Sequence, residues 1–238
     1  MIGCSCPLLW DDFLIDNFIY VCYDIIKRLI DKLEFIVVRN MRIDVNMITP
    51  RQKLTIKKGL CDYQYIMDNW QVNDSDFQDV FYDFYLKARW SVMTKPGNKE
   101  LYFQKLQSIS PENSLLDILI DLKNKMEKAS YEFSLASKLL HTRNNISPIY
   151  DSKIRIYLSQ EENVNFWWQL PLKVSGAPRG TSDIKKIEHD WSKLKCWYTS
   201  FMSSQRGKQW IDWFNINFPN YTCISDIKKV DFIIFATR

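Results

Sequence analysis

Apolar residues recur along most of this chain at the spacing of helical faces. Between residues 11 and 33, Leu14, Phe18, Val21, Cys22, Ile25, Leu29 and Leu33 fall near one face. Asp11, Asp12, Asp16 and Asp24 interrupt that run, so neither a membrane span nor a signal peptide is expected. Residues 34–67 lack a clear period. They predict irregular structure, with a β-like Phe35-Ile-Val-Val38 and a small β element within 34–48. From Asp74 the helical period returns: Phe77, Val80, Phe81, Phe84, Tyr85 and Ala88 share a face behind a cap at Asp74, Ser75 or Asp76. A helix with Tyr102, Phe103 and Leu106 follows the Lys95-Pro-Gly-Asn98 turn. Ser114 predicts an N-cap with Asp117 in the first turn and Leu115, Ile118, Leu119, Leu122 and Met126 buried. Later helices are predicted over 182–203, near 207–217 and after Ser225, the last with Ile227, Val230, Ile233 and Ile234 inward. The pattern is all-α.

One stretch, Ser130 to Leu158, stands at the centre of this pattern. Leu135, Leu139 and Leu140 form an apolar stripe over small Ala136 and Ser137, which let another backbone come close. Asn144 and Asn145 break the helix, and the residue before Pro148 is pushed out of the αR region. Asp151 then stands where an N-cap belongs, ahead of Ile154, Tyr157 and Leu158 on one face.

Composition narrows the chemistry. The 238 residues are 46% hydrophobic and 15% aromatic, which excludes a disordered chain. A net charge of +4 permits nucleic-acid binding without announcing it. The six cysteines form no Cys-x-x-Cys pair, and the only histidines are His141 and His189, which argues against a zinc site or a four-cysteine iron–sulfur loop. The thiols are expected to be reduced and the protein cytoplasmic.

The segment Ala136-Ser-Lys-Leu-Leu-His-Thr142 followed by Pro148-Ile-Tyr-Asp-Ser-Lys-Ile154 resembles the catalytic segment of the helix–hairpin–helix DNA glycosylases, the superfamily of 8-oxoguanine glycosylase and endonuclease III. The similarity covers about 45 residues. There a Pro-x-x-Asp or similar tetrapeptide sets the catalytic aspartate at a helix N-terminus, and the resemblance marks Asp151 as that residue. It implies a two-lobed helical fold for a glycosylase-like domain over 68–238, with its focal segment at 114–165. Residues 1–67 are expected to be a separate N-terminal helix and accessory segment, whose 34–67 part lies outside the resemblance. Two departures stand out. The family's glycine-rich hairpin corresponds to Ala129-Ser-Tyr-Glu-Phe-Ser134, which has no glycine. The Schiff-base lysine of bifunctional members would fall near Phe133 or Ser134, whereas Lys138 lies about one helical turn further on. Water is then the implied nucleophile.

The expected activity is hydrolysis of the N-glycosidic bond of a flipped, modified base, leaving an abasic site in repair or in defence against modified foreign DNA. A carboxylate suits that chemistry, because bond cleavage develops positive charge on the sugar and needs an activated water. Asp151 taken alone is an ordinary helix cap, and the two roles are compatible. Ser134, Lys138, Arg143, Lys153 and Arg155 are candidate phosphate contacts, or an ordinary charged surface. His141 is a candidate for a base or phosphate contact, or a packed C-terminal residue of its helix. Phe133, Tyr150, Trp167 and Trp168 are candidates for a base sandwich, or core. The expected partner is double-stranded DNA, bound by a nucleoid-associated monomer with no membrane, metal or cofactor. A catalytically silent helical DNA-binding or protein-interaction module remains the alternative.

Overall fold

The computed structural model describes residues 43–69, 72–86, 90–126, 131–164, 166 and 184–237. The chain divides into two units, Met1–Arg42 and Ile43–Arg238. The first lies outside the described residues, and with it the expected 11–33 helix and the β-like 35–38 run. The second unit takes in residues 43–67, which the sequence pattern sets apart from residues 68–238.

The described residues are helical, with no strand among them. The expected β element does not extend into 43–48, where Val45–Met47 is a 3-10 turn capped by Asp44. The predicted irregular stretch is instead a 19-residue helix, α1 (Pro50–Asp68). The reason is local. Thr49 and Gln52 form a reciprocal capping box, with Pro50 at the first helical position where its missing N–H does no harm. Ile56, Leu60, Tyr63 and Ile66 then supply the buried face.

Helix α2 (Ser75–Phe81), capped by Asp74, runs into a π-helical turn at Tyr82–Leu86. A short α3 (Trp90–Met93) and α4 (Asn98–Ser108) follow, the latter starting from Gly97 at φ +76°, a backbone state that favours glycine. Helix α5 (Leu115–Lys125) carries the predicted Ser114–Asp117 capping box. Next come α6 (Phe133–Arg143), α7 (Ser152–Glu161), α8 (Ile184–Ser203), α9 (Gln205–Asn217) and α10 (Asp226–Thr237). None of the described helices is long and apolar enough to cross a membrane.

Two helices occupy the interior. In α6 every residue from Phe133 to Thr142 is buried. Helix α10 packs against α1, α7, α8 and α9 and is buried from Ile227 to Ile234. Between them the tetrapeptide Pro148–Asp151 is held down by a hydrogen bond from the Tyr150 amide to Ser137 Oγ at 3.0 Å. The far end of α7 is tied by Glu162, which accepts from Tyr157 at 2.8 Å and pairs with Arg206 of α9 at 2.7 Å. Helix α7 is thus fixed at both ends, and so is the residue that opens it.

Candidate functional site

Asp151 closes the extended tetrapeptide and caps α7, its Oδ1 accepting the Lys153 amide at 2.9 Å. The N-cap expectation holds. The other oxygen, Oδ2, lies 3.7 Å from Lys138 Nζ, with the two side chains 14% and 5% exposed.

Lys138 corrects the sequence-based expectation of a phosphate-facing lysine. It points inward and donates to the Tyr85 carbonyl at 2.6 Å. That carbonyl belongs to the π-helical turn, where the ordinary helical bond pattern changes.

Lys138 and Asp151 share a cavity of about 370 Å³ with Lys228 and Asp231 of α10. Its aromatic walls are Phe84, Tyr85, Phe232 and Phe235. Ligand sites for small organic molecules span roughly 300–1,000 Å³, mostly apolar with a few fixed polar groups, and this cavity has that character. Gly59 of α1 permits one wall: a methyl group there would sit 2.9 Å from the Phe232 ring.

The charges lining the cavity are not equivalent. Burial pushes the Asp231 carboxyl up to about 7, against the pull of Lys228 and of the hydroxyl that Tyr198 donates to it. Burial lowers Lys228 to about 8, opposed by Asp231 and reinforced by Lys138. The cavity therefore holds the Asp151 side chain, at a helix N-terminus, together with a buried amine whose pKa is lowered toward neutrality. Such a pair suits acid–base work.

Other predicted site residues lie elsewhere. His141 is fully buried, with Nδ1 2.6 Å from the Ser147 carbonyl and Nε2 3.2 Å from Tyr63 Oη. Burial, with Lys228 nearby, holds the imidazole down at about 3, so it is neutral and structural rather than a base or phosphate contact. Phe133 and Tyr150 stack on each other at 4.0 Å and 11° between planes, so the slot expected for a base is filled by their own contact. Ser134 is buried at the start of α6 and is not a surface phosphate contact. Arg143 is half-buried and donates to the Ile109 carbonyl at 2.7 Å, bracing α6 against the chain ahead of α5. Lys153 lines the cavity and donates to the Phe235 carbonyl at 3.0 Å, while Arg155 is half-buried on α7. Trp167 and Trp168 lie outside the described residues.

Sequence reasoning missed Lys228 and Asp231. Their signal was present: two charges three apart on a helix whose neighbours Ile227, Val230, Phe232, Ile233 and Ile234 leave no polar face for them. Among the described residues no group of three or more His, Cys, Asp or Glu side chains is placed to hold a metal ion. No protein-family model, curated protein or solved structure matches the chain.

Proposed function

We propose that this protein is a DNA N-glycosylase of the helix–hairpin–helix kind, working without a covalent enzyme intermediate. It takes a modified or damaged base out of the duplex into the cavity and hydrolyses its glycosidic bond, leaving an abasic site. The observation that carries this reading is the placement of Asp151: a carboxylate at a helix N-terminus, on the wall of an aromatic-sided cavity, with one oxygen free of the capping bond. There it stabilises positive charge developing on the sugar and takes a proton from the attacking water.

Two further features support the reading. The aromatic walls suit a flipped base, which needs flat apolar contacts once removed from its stack. Arg51 and Lys58 are exposed on α1 and line a surface cleft with Thr55 and Gly59, which also line the cavity, and so offer phosphate contacts beside it. The protein is proposed to act on double-stranded DNA as a monomer, in repair or in defence against modified foreign DNA.

Abasic-site formation tests the proposal. Duplexes carrying oxidised, deaminated, alkylated or hypermodified bases are incubated with the wild type and with Asp151→Asn, and salt-dependent DNA binding is measured in parallel. Base release by the wild type alone, with binding retained in both, is the expected result. Binding without release in either protein identifies a silent DNA-binding module instead. The absence of any DNA binding points to a protein-interaction scaffold.

A further inference from the structure

Lys228 is 3% exposed and lines the cavity. Its Nζ lies 5.0 Å from the ring centroid of Tyr63 and 5.2 Å from those of Phe84, Tyr85 and Phe232. Ring faces attract a cation but do not satisfy three N–H donors as oxygen acceptors would. Among the described residues the ammonium has no hydrogen-bond acceptor and no carboxylate at ion-pair distance. Asp231, one helical turn on, does not serve it: one oxygen takes the Tyr198 hydroxyl, and the other is buried with no partner among the described residues. Lys138, by contrast, has both a carbonyl and a carboxylate. A buried donor left open toward a cavity calls for an acceptor that the protein itself does not supply.

We propose that Lys228 is a catalytic residue whose ammonium meets an acceptor atom of the flipped base, a carbonyl oxygen or a ring nitrogen, and protonates it as the base departs. This inference rests on the glycosylase reading, with Asp151 acting on the sugar side of the same cavity. It also names the substrate class: neutral bases bearing such an acceptor, as oxidised and deaminated bases do, and not cationic N-alkylated bases. A formally positive base would meet the ammonium as a like charge, and its departure needs no added proton.

The step balances. The glycosidic C–N bond breaks with its electron pair passing to the base, and Lys228 gives the base one proton, becoming a neutral amine. Water adds its oxygen to the sugar carbon and its proton to Asp151. Exchange with solvent then returns the proton from Asp151 and reprotonates Lys228. The groups facing Lys228 are Asp231 on its own helix, Lys138 and His141 on α6, Asp151 ahead of α7, Tyr63 on α1 and Tyr85 in the π-helical turn. Burial and Lys138 hold its pKa down at about 8 despite the two carboxylates, so the amine is protonated at neutral pH and gives up its proton readily.

The test uses duplexes carrying a single 8-oxoguanine, uracil, hypoxanthine or 3-methyladenine. They are offered to the wild type, Lys228→Met and Lys228→Arg, with fluorescence-monitored binding of the free bases alongside. The wild type should excise at least one neutral base and leave 3-methyladenine. Lys228→Met should lower kcat by about a hundredfold, with a smaller change in KM. Lys228→Arg keeps the charge without a transferable proton, so its kcat should stay low and lose the alkaline fall of the wild-type pH profile. Preference for 3-methyladenine, or folded Met and Arg variants with wild-type kcat, would overturn the inference while leaving the glycosylase reading intact. If no DNA loses a base, yet a free neutral base binds the wild type and not Lys228→Met, the glycosylase reading and the catalytic role of Lys228 both fail, and only its contact with a base acceptor is kept. Failure of both release and binding overturns both.

Discussion

Helices α6 and α10 both bury charged and polar side chains, but they treat them differently. In α6, Thr142 donates back to the Lys138 carbonyl at 2.8 Å, and Ser137 bridges the Ser134 carbonyl and the Tyr150 amide. Lys138 and His141 reach the π-helical turn, the Ser147 carbonyl and Tyr63. Those bonds join α6 to its surroundings. In α10, Lys229 is paired with Asp226 at 2.9 Å, but Lys228 has only ring faces and Asp231 has one oxygen without a partner among the described residues. The difference separates two reasons for burying polarity. A satisfied network fixes one packing arrangement, whereas an open one waits for something from outside.

Breaking the satisfied side should have the largest effect on stability. His141→Ala removes a fully buried ring and strands Tyr63 Oη and the Ser147 carbonyl, at a cost of about 4 kcal/mol. Chemical denaturation measures this loss.

Proton linkage sharpens the comparison, because the two helices push stability in opposite directions with pH. His141 titrates near 3 when folded and near 6.5 when unfolded, so its contribution is full above 6.5 and lost as pH falls. Asp231 titrates near 7 when folded and near 3.8 when unfolded, so its contribution is full below 3.8 and lost as pH rises. Between these limits the two slopes, each about 1.4 kcal/mol per pH unit, oppose one another. Relative to the wild type, Asp231→Asn should make stability climb with pH between about 4 and 6.5, and His141→Gln should make it fall. Urea unfolding at several pH values reads both slopes, and unchanged slopes would remove the distinction between the helices.

The smallest effect is expected from Lys228→Met, which replaces an unsatisfied buried ammonium with an apolar chain of similar length. It should raise stability by about 1 kcal/mol, the opposite sign to His141→Ala, as substitutions that relieve a strained functional group commonly do. A Tm below that of the wild type would mean that the aromatic cage serves the fold.

Much of this architecture is legible in local signals. Asp74, Ser114 and Asp151 read as caps because a short polar side chain ahead of an apolar period has few other uses, and all three cap their helices. Helix α1 escapes a reading by period although Thr49-Pro-Arg-Gln52 carries a capping-box signature, because the β-like run before it dominates the stretch. The orientation of Lys138 is not legible. It depends on a π-helical turn that brings the Tyr85 carbonyl across from another part of the chain. Lys228 and Asp231 are only half legible: the apolar residues around them on α10 leave no polar face and so signal burial, but the rings of α1 and the π-helical turn that surround Lys228 come from distant parts of the chain. Local sequence thus locates Asp151, while the remainder of the cavity is assembled by long-range packing.

The decisive experiment is abasic-site formation on modified duplexes by the wild type and Asp151→Asn, with DNA binding and Tm measured on the same preparations. A glycosylase acting through this carboxylate releases base as the wild type and at least about a hundredfold more slowly as the variant, with binding and Tm retained. Equal release by both proteins, or release by neither, contradicts the role given to Asp151.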